Sequence, residues 1–208
     1  MIKKEHIQAL ILAGELEEIV RIIGNQKSAL RYLLRLLCSL DNLVKWRTVE
    51  TVGLLGAWWF DQGQAEETRV LLRKFLWTLN DESGGIGWGS AECIGEIVSL
   101  RSQSFADFAP VLLTYTEEEI LLPAVIWGGW RIARQAPELV QEFIPDYWPY
   151  LKHPDPEVRG YTYLWLQAAG ADLASITWER DNAGFKLYHN RQIVEVKLKN
   201  LVRNEVKQ

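Results

Sequence analysis

Apolar residues recur along the first 170 positions at the three-and-four spacing of amphipathic helices. Leu30, Leu33, Leu34, Leu37 and Leu40 fall on one helical face, and Leu72, Phe75, Leu76 and Leu79 fall on another. Each such segment is followed by a polar turn and then by a second segment whose stripe is small or aromatic. Val49, Val52, Gly53 and Gly56 form one of these stripes, and Trp88, Ala91, Gly95 and Val98 form the next. Small residues let helix backbones approach closely, so the alternation predicts helical hairpins whose second helices pack against one another.

The hairpins carry an internal period. Trp46-x3-Glu50-x2-Gly53 returns 42 residues later as Trp88-x3-Glu92-x2-Gly95. Leu151-Lys152-His153-Pro154-Asp155-Pro156-Glu157-Val158-Arg159 leads into a segment with Val158, Thr162 and Trp165 at the same offsets. In its 155–159 turn, proline closes the first helix, the acids suit the N-terminus of the second, and Val158 begins the buried face. This pattern resembles the HEAT-repeat family, whose repeats of roughly 40–47 residues pair two antiparallel helices. Armadillo and tetratricopeptide stacks are more distant likenesses. The resemblance implies an all-α superhelix, with repeats at about 26–62, 64–103, 105–137 and 138–170 behind a capping hairpin at about 3–24. The third is the least regular: Gly128-Gly129 inside its second helix predicts a bend or a tight contact.

After Gly170 the pattern changes. Ile176–Glu179 and Phe185–Tyr188 alternate like strands around the turn Asp181-Asn182-Ala183-Gly184, with a second turn available at Asn190. Residues 193–206 fit either a strand or a helix. The expected arrangement is a repeat domain at 1–171 and a C-terminal cap at 172–208, a short β-hairpin plus terminal helix covering the exposed last repeat rather than an independent domain.

Charge narrows the function classes. The chain carries −4, and its last 37 residues hold seven basic and five acidic side chains, which leaves −6 on the body. An acidic body disfavours nucleic acid unless arginines gather on one face. Cys38 and Cys93, far apart and inside apolar patterns, read as buried thiols. The N-terminal apolar stretch is short and soon acidic, and the uncharged run 120–130 is too short to span a bilayer. The expectation is a cytoplasmic protein with no membrane partner. Glu117-Glu118-Glu119 reads as a solvated helix start. His6, His153 and His189 are scattered, and no catalytic triad order, HExxH or zinc spacing is present, so no catalytic residue, metal or cofactor is assigned.

Ten tryptophans in 208 residues are the compositional excess, and only Trp178 lies beyond residue 171. Trp58-Trp59-Phe60 reads as packing at a helix end. The segment 80–92 is the least ordinary turn, with four glycines, Asp81, Glu82 and Trp88. It also resembles a segment of a bacterial group of small HEAT-repeat proteins, from which no activity transfers. Three readings of it stay open: a structural turn capped by Asp81 or Ser83, a partner site, and a glycine-rich phosphate loop. The third lacks the Lys-Ser/Thr pair that such loops need and has acids where an anion would sit.

In HEAT stacks the second helices line the inner face, which would bring Glu50 and Glu92 to one groove beside Trp46 and Trp88. An acid-plus-aromatic groove suits a cationic protein or peptide segment. The candidate partner-binding residues are therefore Trp46, Glu50, Asp81, Glu82, Ser83, Trp88 and Glu92, in a non-enzymatic scaffold. An oxygen-rich metal site from Glu50, Asp81, Glu82 and Glu92 is the lesser reading of the same acids. The alternative function is an enzyme on the same stack. Alkylpurine DNA glycosylases and phycobilin lyases share the fold type, and Arg47, Arg131 and Arg159 could form a basic stripe.

Overall fold

The computed structural model describes residues 2–80, 87–178 and 180–202, and in them helical hairpins follow one another. The first pairs α1 (Lys4–Ala13) with α2 (Leu16–Asn25). Gly14 separates them at φ +79°, a conformation that favours glycine. The N–H groups of Gly14 and Glu15 return to the carbonyls of Ile11 and Leu10 and close the helix end. Next come α3 (Leu30–Leu34) and α4 (Asn42–Asp61), the latter started by the Asp41 carboxylate. It accepts from the N–H of Leu43 at 2.8 Å and of Val44 at 3.2 Å. α5 (Ala65–Leu79) pairs with α6 (Ser90–Leu100), and α7 (Phe108–Leu113) with α8 (Leu122–Ala133). Short α9 (Ile144–Tyr147) and the 3-10 turn Trp148–Lys152 precede α10 (Pro156–Ala168), whose N-terminus Asp155 caps at 2.8 Å to Glu157 N.

The second helices α2, α4, α6, α8 and α10 lie side by side, each touching the next, while the first helices form an outer layer. This is the HEAT-like hairpin stack, and one continuous core runs from Ile7 to Leu201. The small residues act as the pattern requires. A β-carbon on Gly95 would stand 2.3 Å from Gly128 Cα, so α6 and α8 cross at backbone contact. Gly129, on the other side of α8, faces the Trp165 indole of α10. The Gly128-Gly129 pair thus produces tight packing on both flanks of one helix.

Three local expectations are corrected. The leucine face of residues 30–40 breaks after Leu34, where Arg35–Cys38 winds as a 3-10 turn. At three residues per turn the buried positions shift to Leu36 and Leu37. Leu40 is left fully exposed in the following loop and Cys38 is exposed as well, whereas Cys93 is buried. Trp88 lies before α6 rather than on its buried stripe and is 51% exposed. In the tail, Ile176–Trp178 is not a strand. The hairpin instead pairs β1 (Gly184–His189) with β2 (Gln192–Lys197) across Asn190 and Arg191.

Both turn residues have positive φ, +48° and +60°, the backbone twist that a two-residue hairpin turn demands and that asparagine tolerates. The ambiguous stretch is divided: strand to Lys197, then helix α11 (Leu198–Val202).

The hairpin begins on the last repeat and points back along the second helices. Phe185 fills the space over Gly160, where a β-carbon would stand 2.3 Å from its ring, and meets Tyr161 edge-on at 5.3 Å. Tyr188 stacks on Trp46 of α4 at 5.8 Å. Arg191 at the tip reaches Glu50 of α4, Glu17 of α2 and the carbonyl of Gly14.

Candidate functional site

Glu50 and Glu92 both arise from the inner-facing side of second helices, as the repeat offset implies, but the chain treats them differently. Glu50 is paired within the protein. Its Oε1 accepts from Arg191 Nε at 3.0 Å and its Oε2 from the Tyr188 hydroxyl at 2.5 Å. Beneath them Arg47 is buried, donating to the carbonyls of Ile11 at 3.1 Å and Leu12 at 2.7 Å. Trp46 is only 8% exposed, held between Trp127, with centroids 4.5 Å apart, and the Tyr188 ring. Half of the expected acid-and-aromatic pair is therefore covered by the chain's own tail.

Glu92 is buried more deeply, with its side chain 3% exposed. Oε1 accepts from Lys45 Nζ at 2.8 Å, and Oε2 has no hydrogen-bond donor among the described residues. Burial acts to lower the Lys45 ammonium, but the charge and hydrogen bond of Glu92 outweigh it and hold it above its ordinary value. Cys93, next in the helix, is pushed well up by burial and then by Glu92 and Glu96, which makes it a core thiol rather than a nucleophile.

Two pockets among the described residues border the hairpin. The first, about 550 Å³, lies at the N-terminal ends of α4, α6, α8 and α10. Lys45, Trp46, Trp88, Glu92, Glu157 and Lys186 are among its lining residues, and Trp88 is an exposed ring there. Burial raises the Glu157 carboxyl, and the neighbouring Tyr161 hydroxyl donates to the Lys186 carbonyl at 2.8 Å. The second, about 420 Å³, lies farther along α4, α6 and α8, between Glu50, Glu96, Arg131, Arg134 and the hairpin tip.

Trp46, Trp88 and Glu92 meet in the first pocket, Glu50 faces the second, and Asp81, Glu82 and Ser83 lie outside the described residues. Among the described residues no group of three or more His, Cys, Asp or Glu is placed to hold a metal ion, and no helix is long and apolar enough to cross a membrane. The arginine stripe is engaged internally. Arg47 meets carbonyls, Arg131 meets Glu96 at 2.9 Å, and Arg159 meets Asp181 at 3.0 Å and the carbonyls of His153 and Pro154.

Sequence reasoning missed Lys45, Glu96, Arg134, Glu157, Tyr188 and Arg191. A signal existed for Glu96, four residues from Glu92 in a helix that is otherwise apolar and small. Nothing local marks Arg191 as the partner of a glutamate 141 positions away.

Together these features define a HEAT-like helical stack whose inner face is straddled by a C-terminal β-hairpin, with an open pocket on either side. No family model matches the chain, and no curated protein matches it. Among solved structures, the archaeal HEAT-like repeats protein from Thermococcus onnurineus NA1 is similar at 16% identity and a TM-score of 0.38. The match covers 81% of this chain and 66% of that one.

Proposed function

We propose that the protein is a binding module that holds a protein segment against its inner face, with a lysine or arginine of that segment entering the pocket beside Trp88 and Glu92. The observation that carries this reading is an acidic pocket in which the exposed Trp88 ring stands with Glu92, Asp155 and Glu157. The charges agree, because Glu92, Asp155 and Glu157 outnumber Lys45 and Lys186 by one in the pocket lining. The exposed Trp88 ring adds a face for a cation, worth about 0.5–2 kcal/mol.

The chain also contains an internal example of the contact. Arg191 docks on Glu50, the repeat equivalent of Glu92, with an aromatic ring beside it. Asp81, Glu82 and Ser83 belong to the proposed site through their place in sequence between α5 and Trp88. An array of defined peptides, varied in Lys, Arg and neutral residues, tests the proposal. Wild type is expected to select basic peptides, and Glu92→Gln and Trp88→Ala are each expected to lower that binding about ten-fold. Equal binding by the variants refutes it, and salt-dependent retention of duplex DNA in place of peptide would favour the glycosylase-like alternative.

A further inference from the structure

The second pocket has the opposite unmet chemistry. Three arginines border it, and two already hold a carboxylate from the chain. Arg131 Nε lies 2.9 Å from Glu96 Oε1 with Nη2 donating to Oε2 at 3.2 Å, and Arg191 meets Glu50 and Glu17. The third, Arg134, has no carboxylate or other hydrogen-bond acceptor among the described residues. Its guanidinium is positioned all the same, standing 5.4 Å from the Trp130 ring centroid one turn along α8 from Arg131. Partial desolvation by the pocket wall acts first to disfavour its charge, then the neighbouring Arg131 charge, and Glu96 offsets these only in part, although the side chain stays open to solvent on its outer side.

We propose that this pocket is an anion site that takes a carboxylate, with Arg134 as the residue that grips it. Glu50, Glu17 and Glu96 already engage Arg191 and Arg131, so the Arg134 charge alone is left for a ligand, which matches a monoanion, while a dianion would be set against the fixed carboxylates. A guanidinium fork accommodates the two oxygens of a carboxylate side by side, as Arg191 already meets those of Glu17. At about 420 Å³ the space admits a small organic acid or an acidic side chain. His189, at the end of β1, also borders it, so the hairpin contributes to the site as well as covering the helices. The pocket lies across the hairpin from Glu92, and the inference does not depend on what binds there.

Isothermal titration at constant ionic strength tests it, with the monocarboxylates acetate and propionate as probes and inorganic phosphate as comparator. Saturable heat with the carboxylates is expected, weakened about ten-fold in Arg134→Gln. Arg134→Lys, which keeps the charge but loses the fork, should fall between the two. Arg134 is exposed, so both variants leave the core intact, and Arg73→Gln on the outer layer should bind as wild type does. Absence of saturation in wild type, unchanged affinity in Arg134→Gln, or tighter binding of phosphate than of carboxylate would each overturn the assignment.

Discussion

Replacing Gly95 by alanine sets two physical effects against each other. Intrinsic helix propensity favours the change, because alanine in a helix interior is better than glycine by about 1 kcal/mol. Packing opposes it. The new methyl carbon would stand 2.3 Å from Gly128 Cα, 2.7 Å from Gly128 O and 2.9 Å from Gly128 C, all backbone atoms of α8 that cannot rotate aside. The two helices must move apart, although each is also held on its far side, α6 by α4 and α8 by α10.

Overpacking of a tight core costs about 1–3 kcal/mol, and an all-backbone clash belongs at the upper end. Against the propensity gain, the net expectation is a loss of about 2 kcal/mol, which for a chain of this size lowers the melting midpoint by about 4–8 °C. The displacement also draws Glu96 on α6 away from Arg131 on α8, so it disturbs a charge pair bordering the second pocket. Thermal unfolding followed by circular dichroism reads the effect. A midpoint equal to or above that of wild type would show that α6 and α8 are not in backbone contact, and the packing argument would fail.

Two further outcomes follow from the charges and the tail. Burial raises the Glu157 carboxyl, so the folded protein binds that proton more readily than the unfolded chain does. Its ionisation costs stability above the folded pKa, and the cost is relieved as pH falls toward the ordinary carboxylate value of 4.5. Glu157→Gln should therefore raise the melting midpoint more at pH 7 than at pH 5, and an equal or reversed difference would contradict the burial argument. Arg191→Ala removes the contacts to Glu50, Glu17 and the Gly14 carbonyl. After allowance for the exposure of that arginine the loss is about 1 kcal/mol, and amide exchange should quicken in β1 and β2 while α8 and α10 keep their protection. Uniformly unchanged exchange would mean that the tip is not what holds the hairpin down.

Much of this protein was determined by short-range pattern. Helices arise where apolar residues recur every three or four positions, and Asp41 and Asp155 start two of them through local side-chain caps. The 42-residue echo of Trp, Glu and Gly placed Glu50 and Glu92 on second helices, because stacking hairpins in register repeats the environment of each position. Asn190 was readable as a turn residue for the same local reason, its tolerance of positive φ.

Only the tertiary structure decided how the two glutamates differ. Glu50 is neutralised by an arginine 141 residues away on a hairpin that crosses the stack, and Glu92 by Lys45 of the neighbouring helix α4. The same crossing helps bury Trp46, while Trp88, which lies outside its helix, stays exposed, although both stand four residues before a glutamate. It also leaves Arg134 as the pocket arginine without a carboxylate. Periodicity depends on neighbours within a few residues, whereas which charge is met and which ring is covered depends on where distant segments come to rest.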